Sequence, residues 1–171
     1  EGGIRVPMIW QWPAKIPAGR VSEAIVSSLD LLPSFLYAAG AAPVLAFDRI
    51  GNELVPRTYD GINIMHLAMG KEQAGPRRLF WRLQGQAAIL DGEDKLIRLS
   101  HKPADFFRPS EDPSESEDLS GINRKRYLEL YELLFRWEED LPTYPHFHTS
   151  PRWSGESARD YDTWIPKPEP R

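Results

Sequence analysis

Four arginines, Arg77, Arg78, Arg82 and Arg98, carry the side chains of this sequence best suited to holding an oxyanion, because a guanidinium fork matches the spacing of two oxygens on such a group. Alternate positions on a strand also turn arginines to water, so the residue type alone leaves both roles open. His146 and His148 flank Phe147 and fall on one side of an extended segment, a spacing that two metal ligands can use. Two imidazoles on a proline-flanked stretch do not complete a site. His66 and His101 fit structural or surface roles better than that of a base. Glu111, Asp112, Glu115, Glu117 and Asp118 form a run without an intervening base. Its spacing is not that of a calcium loop, and like-charge repulsion predicts a solvated, mobile segment. Gly2-Gly3 lies in neither phosphate-loop pattern. No local trio of nucleophile, base and charge stabiliser emerges, so the residues nominate no catalytic group and no metal ligand set.

The chain that must position these groups has 171 residues, 41% hydrophobic and 27% charged, which supports a packed core. Sixteen prolines against a usual ~5% predict many loops and few long helices. A net charge of −4 supplies no broad basic surface for nucleic acid. There is no cysteine, hence no disulfide, thiolate metal site or cysteine nucleophile. No apolar stretch approaches the ~20 residues of a membrane span, and the first residues lack the pattern of a signal peptide. The chain starts at Glu1 rather than at a methionine and reads as part of something longer.

Residues 4–10 are apolar and β-compatible and read as a buried strand. A helix follows, capped at Ser28 or Asp30, with Pro33 in its first turn and Gly40 at its end. Leu31, Leu32, Phe35, Leu36 and Ala39 recur at helical spacing and should pack inward. Residues 41–59 read as a long loop and residues 63–69 as a short helix stopped by Gly70. Residues 78–83, 86–90 and 95–99 alternate with turns at Gln84-Gly85 and Asp91-Gly92. Asp-Gly between apolar runs is a strong hairpin signal, requiring positive φ at both central residues, and it predicts a three-stranded antiparallel meander. Residues 104–107 add a possible fourth strand. A helix over residues 123–140 places Tyr127, Leu130, Tyr131, Leu134, Trp137 and Leu141 on one stripe that should cover the sheet. Residues 142–171 read as an extended aromatic and proline-rich tail.

The ordered set of motifs resembles the C-terminal part of the type I, formylglycine-dependent sulfatases of the alkaline phosphatase superfamily. Glu1-Gly2-Gly3-Ile4-Arg5-Val6-Pro7, Trp12-Pro13 and Ile16-Pro17-Ala18-Gly19 are similar to the strand and loop that follow that family's active-site lysine. Ser28-Leu29-Asp30-Leu31-Leu32-Pro33-Ser34 with Ala38-Ala39-Gly40 resembles its next helix, and Tyr59-Asp60-Gly61-Ile62-Asn63 the segment after it. Leu79-Phe80-Trp81-Arg82, Ala87-Ala88-Ile89, Lys95-Leu96-Ile97, Asp112-Pro113-Ser114-Glu115 and Asp118-Leu119 are similar to its C-terminal subdomain. Where the family often has Arg-Asp-Gly-x-Trp-Lys, this chain has Leu90-Asp91-Gly92-Glu93-Asp94-Lys95, and the arginine and tryptophan are replaced.

The resemblance implies an α+β architecture. It is the C-terminal part of the alkaline-phosphatase-like α/β sulfatase fold, with a small antiparallel sheet of three or four strands covered by one C-terminal helix. Residues 1–75 would end the catalytic α/β domain, 76–141 would form the C-terminal subdomain, and 142–171 the tail. It also implies a parent that hydrolyses sulfate esters through formylglycine with a calcium ion. The precursor pattern C/S-x-P-x-R fits no position here, and the aspartate metal ligands have no counterpart. The segment alone is therefore expected to be inactive, its partners being the missing catalytic domain and a sulfated small molecule or glycan. Neither nucleic acid nor a membrane span is expected, and the compartment implied is periplasmic or extracellular. Arg5 and Arg82 are the candidates for substrate contact. Two other readings share the motifs: a non-catalytic binding module derived from a sulfatase, and the tail of a phosphonate or phosphodiester hydrolase.

Overall fold

A computed structural model of the chain describes residues 1–41, 47–50, 52–56, 59–71, 75–83, 86–99 and 102–141. The chain divides into two compact units, one of Glu1–Val6 with Pro76–Arg171 and the other of Pro7–Gly75.

In the second of these units a short 3-10 turn, Ser28–Asp30, leads into helix α1, Leu31–Ala38. Ser27 and Asp30 cap the turn reciprocally: the Ser27 hydroxyl accepts from Leu29 N–H, and Asp30 Oδ2 accepts from Ser27 N–H at 2.7 Å. Gly40 ends the helix at φ 66°. The apolar stripe expected to pack inward does so only in part: Leu31 and Leu36 are half-buried, while Leu32, Phe35 and Ala39 are exposed. Phe35 is 57% exposed, while Asp30 is fully buried and Ser34 with it. The polar edge is buried because it completes the main chain of residues 62–64: Asp30 Oδ1 accepts from Ile62 N–H at 2.9 Å and Ser34 Oγ from Ile64 N–H at 2.9 Å. Gly61 approaches the Leu29 carbonyl so closely that a Cβ there would lie 2.0 Å from the oxygen. Strands β1, Phe47–Ile50, and β2, Glu53–Pro56, pair antiparallel where a loop was expected. Helix α2 follows, Met65–Ala68.

The expected strand over residues 4–10 is also absent. Ile4 and Arg5 N–H close a turn on the Glu1 carbonyl at 3.0 and 2.9 Å, and Ile9 is 91% exposed. An apolar run becomes a strand only when another strand takes up its N–H and C=O groups, and among the described residues none pairs with it.

The other unit is the meander. Strands β3, Arg78–Leu83, β4, Gln86–Asp91, β5, Asp94–Arg98, and β6, Asp105–Phe107, form one antiparallel sheet in that order. Asp91 pairs with Asp94, so the central turn residues are Gly92-Glu93 rather than Asp91-Gly92. Of the two, Gly92 alone takes a positive φ, 66°. Glycine at the first central position suits the right-handed twist of the flanking strands.

Side chains alternate across the sheet, and directly paired residues share a face. One face carries Phe80, Ala87, Ile89, Leu96 and Phe106, and helix α3, Arg124–Glu139, lays Tyr127, Leu130 and Leu134 onto it. Trp137 stacks on Phe80 with ring centroids 4.8 Å apart, whereas Tyr131, expected on the same stripe, is exposed. Asn123 caps the helix by accepting from Arg126 N–H. Residues 142–171, including His146 and His148, and residue His101 lie outside the described residues.

Candidate functional site

The opposite face of the sheet carries a charge where the pattern calls for an apolar residue. Lys95 on β5 pairs across the sheet with Leu90 on β4 and Phe107 on β6, both buried. It is itself 2% exposed. A lysine there must be matched by anions, since an unpaired buried ammonium costs several kcal/mol or loses its proton. Two carboxylates from distant parts of the chain meet it. Nζ donates to Glu1 Oε1 at 2.7 Å and to Glu115 Oε1 at 2.5 Å. The main-chain nitrogen of Glu1 donates in turn to Glu115 Oε2 at 2.6 Å.

The acidic run that supplies Glu115 is folded rather than mobile, because each of three carboxylates has donors of its own. Asp112 accepts from Ser116 and Glu117 N–H at 2.7 and 2.9 Å, and Asp118 from Phe106 N–H at 2.9 Å. The Asp112 carboxyl is held below its usual range by the Glu117 N–H, with the Ser116 and Ser114 N–H groups adding to it. Those bonds also account for the acids that a calcium ion would need. Among the described residues no group of three or more acidic, histidine or cysteine side chains is placed to hold a metal. Glu115 sits at φ 54°, the left-handed region that non-glycine residues seldom adopt, and is 8% exposed.

Burial disfavours the charge on Lys95, but hydrogen bonds and attraction from Glu1 and Glu115 outweigh it and raise its pKa above the ordinary lysine value. A lysine so held stays protonated at neutral pH. Its two ion pairs brace Glu1 and Glu115 against the sheet.

The arginines divide by role. Arg78 is committed to Asp91 at 3.0 and 3.2 Å, and Arg98 to both oxygens of Glu138 on α3 at 2.6 and 2.7 Å. Carboxylates of the chain itself thus occupy two of the forks that the sequence offered to an anion. Arg126, not singled out by the sequence, clamps α3 to the β4–β5 turn through Asp94 at 2.8 Å and Asp91 at 3.0 Å. Burial works against the Asp91 carboxylate, yet the bonds to Arg78 and Arg126 prevail and lower its pKa. Of the two substrate-contact candidates, Arg5 lies exposed on the Glu1 turn. Arg82 is half-buried in β3 opposite Ala87, on the face that α3 covers. His66 shares a hydrogen bond of 2.6 Å between its Nε2 and the Tyr37 hydroxyl.

The Lys95 cluster escaped the reading of the sequence because its members are 94 and 20 positions apart. Its one legible signal was a lysine at an inward position of a strand, between Asp94 and Leu96. In the other unit, Met8, Trp10, Trp12, Ile16 and Leu67 with Arg20 line an open, largely apolar groove. Such a wall suits an apolar surface better than a charged ester.

No family model matches the chain. Rat (Rattus norvegicus) arylsulfatase G is 36% identical to it over 168 residues, which is 98% of this chain and 27% of that protein. Dog (Canis lupus familiaris) N-acetylgalactosamine-6-sulfatase is 46% identical over 123 residues, 71% of this chain and 22% of that protein. Among solved structures, Ps i-CgsB in complex with k-i-k-neocarrahexaose aligns at a TM-score of 0.63 and 25% identity, over 90% of this chain and 34% of that one. The solved neighbours have the alkaline-phosphatase-like fold, and the four-stranded antiparallel sheet with its C-terminal helix makes this chain α+β. The chain belongs to the sulfatases and corresponds to their C-terminal portion. It spans about a quarter of the length of the curated relatives it matches.

Proposed function

We propose that the intact protein hydrolyses sulfate esters through a formylglycine nucleophile, with calcium balancing the charge, and that both are supplied from outside residues 1–171. When present, the formylglycine hydrate offers the attacking oxygen and the cation draws charge from the ester oxygens. The residues described here fit neither group. No C/S-x-P-x-R pattern occurs in the sequence, and among the described residues no metal-ligating cluster does. The role left to this chain is to complete the fold and to hold the turn at Glu1. Taken by itself it is catalytically inactive.

The observation that carries this reading is the match of nearly the whole chain to arylsulfatase G. The sugar substrate named for the dog relative and the oligosaccharide bound to Ps i-CgsB support a sulfated glycan, or a smaller sulfated molecule, as the substrate class. Arg5, exposed on the Glu1 turn, is assigned to the surroundings of the sulfate group, and Arg82 is the second candidate. In this reading residues 1–75 end the catalytic domain, 76–141 are the C-terminal subdomain and 142–171 the tail. The other partner is then the rest of the catalytic domain. Among the described residues no helix is long and apolar enough to cross a membrane. A periplasmic or secreted location fits the family.

The full-length protein, incubated with calcium, should release sulfate from p-nitrophenyl sulfate faster than it cleaves p-nitrophenyl phenylphosphonate or bis-p-nitrophenyl phosphate. The reverse preference would move the parent to the phosphonate or phosphodiester hydrolases. Cleavage of none of the three would favour a binding module.

A further inference from the structure

We propose that Lys95, together with Glu115, is a positioning residue for the turn Glu1-Gly2-Gly3-Ile4-Arg5, and acts on sulfate-ester binding through that turn without touching the ester. The proposal rests on the sulfatase reading above, in which this turn borders the sulfate group.

Three observations converge on it. Among the described residues, two side chains anchor the turn, both at Glu1: Lys95 Nζ donates to its carboxylate at 2.7 Å and Glu115 Oε2 accepts from its nitrogen at 2.6 Å. The rest of the turn closes on itself through Ile4 and Arg5 N–H to the Glu1 carbonyl, and Gly2 and Gly3 have nothing within 4 Å of where a Cβ would stand. Moving Glu1 would therefore carry Arg5 with it. Second, Glu115 closes the cluster, accepting from Lys95 Nζ through Oε1 and from the Glu1 nitrogen through Oε2. It is also the one non-glycine residue with positive φ among those described. Strained backbone persists where the surroundings over-determine it, and such positions gather at functional sites. Third, packing alone gives no reason for a lysine between Leu90 and Phe107. A buried ion pair is commonly matched or bettered in stability by apolar residues of similar volume, whereas it can fix a unique arrangement. Here what it fixes is the place of Glu1, 94 positions away.

The test uses the full-length protein, its K95M, K95R and E115Q variants, p-nitrophenyl sulfate as substrate and inorganic sulfate as competing ligand. In Lys95→Met, amide hydrogens of Ile4 and Arg5 should exchange about tenfold faster or more, while those of Ile89 and Leu96 in the sheet stay protected. KM for the ester and the inhibition constant for sulfate should rise together by about tenfold, with kcat changed by less than about threefold. Lys95→Arg, which keeps the charge, should recover most of the affinity.

Unchanged exchange at Ile4 and Arg5, or unchanged KM in an enzyme that turns over the ester, overturns the proposal. If Ile89 and Leu96 also lose protection in Lys95→Met, Glu115→Gln decides: the same pattern at smaller size supports the proposal, and wild-type behaviour overturns it. Absence of sulfate ester turnover in the wild type counts against the sulfatase reading itself, and the exchange measurement still decides whether Lys95 holds the turn.

Discussion

The meander with its helix and the unit of residues 7–75 differ in the balance of apolar and hydrogen-bonded groups that they bury. Between β4, β5, β6 and α3, the side chains Ile89, Leu96, Phe106, Leu130 and Leu134 form one apolar cluster, and charge pairs such as Arg98–Glu138 and Arg126–Asp94 sit at its margin. Around α1 the buried groups are Asp30 and Ser34 together with Ile64 and Met65, and Leu32 and Phe35 are exposed in this chain. One region is organised by removal of apolar surface from water, which is broad and non-directional. The other adds to a smaller apolar contact, at Ile64 and Met65, a few hydrogen bonds that must each meet their donor. The first tolerates distributed change, and the second depends on single atoms.

The largest effect should come from the apolar cluster. Leu130→Ala should lower stability by about 2 to 5 kcal/mol, through lost transfer energy and the cavity left behind. Urea titration gives the magnitude, and hydrogen exchange should place the loss in β4, β5 and α3. Equal loss around α1 would mean that the two regions do not differ as described.

Next is Asp30→Ala, which strips the acceptor from Ser27 and Ile62 N–H and should cost about 1 to 3 kcal/mol, felt at residues 59–65 rather than in the sheet. Gly61→Ala belongs to the same region and should cost about 1 to 3 kcal/mol, because its methyl must displace the Leu29 carbonyl.

Much of the meander was legible because its cues are local. Alternating apolar residues and an Asp-Gly step mark strands that lie next to each other in the chain, and the 3.6-residue stripe from Tyr127 to Trp137 marks the helix above them. In the α1 region the helical spacing of Leu32 and Phe35 carries no sign of the groups that are buried, an acid and a hydroxyl whose partners lie about thirty positions on. The β1–β2 hairpin was hidden among Pro43, Pro56 and a stretch without clean period. Its Gly51-Asn52 step was nevertheless a hairpin cue. The Lys95 cluster needed three remote stretches at once, and no period or spacing rule joins them.

Titration sharpens the comparison within the meander unit. The Asp91 carboxyl has a folded pKa below its ordinary 3.8, so its stabilising contribution is present above that pH and is lost as pH falls through the lower folded value. Lys95 has a folded pKa above 10.5, so its contribution is full below 10.5 and is lost as pH rises through the higher folded value. Thermal melts across pH should show the acid-side slope flattened in Asp91→Asn and the alkaline slope flattened in Lys95→Met. In the 171-residue chain the smallest effect is expected at Leu32→Ser, within about 0.5 kcal/mol, since that side chain is 49% exposed there.

In the function proposed above, these residues brace a sulfatase site whose reacting groups lie outside residues 1–171. Purified residues 1–171, assayed with p-nitrophenyl sulfate and calcium beside the full-length protein, test it directly. Sulfate release is expected from the full-length protein, and none above background from the 171-residue chain. Turnover by the shorter chain that rises in proportion to its concentration would contradict it.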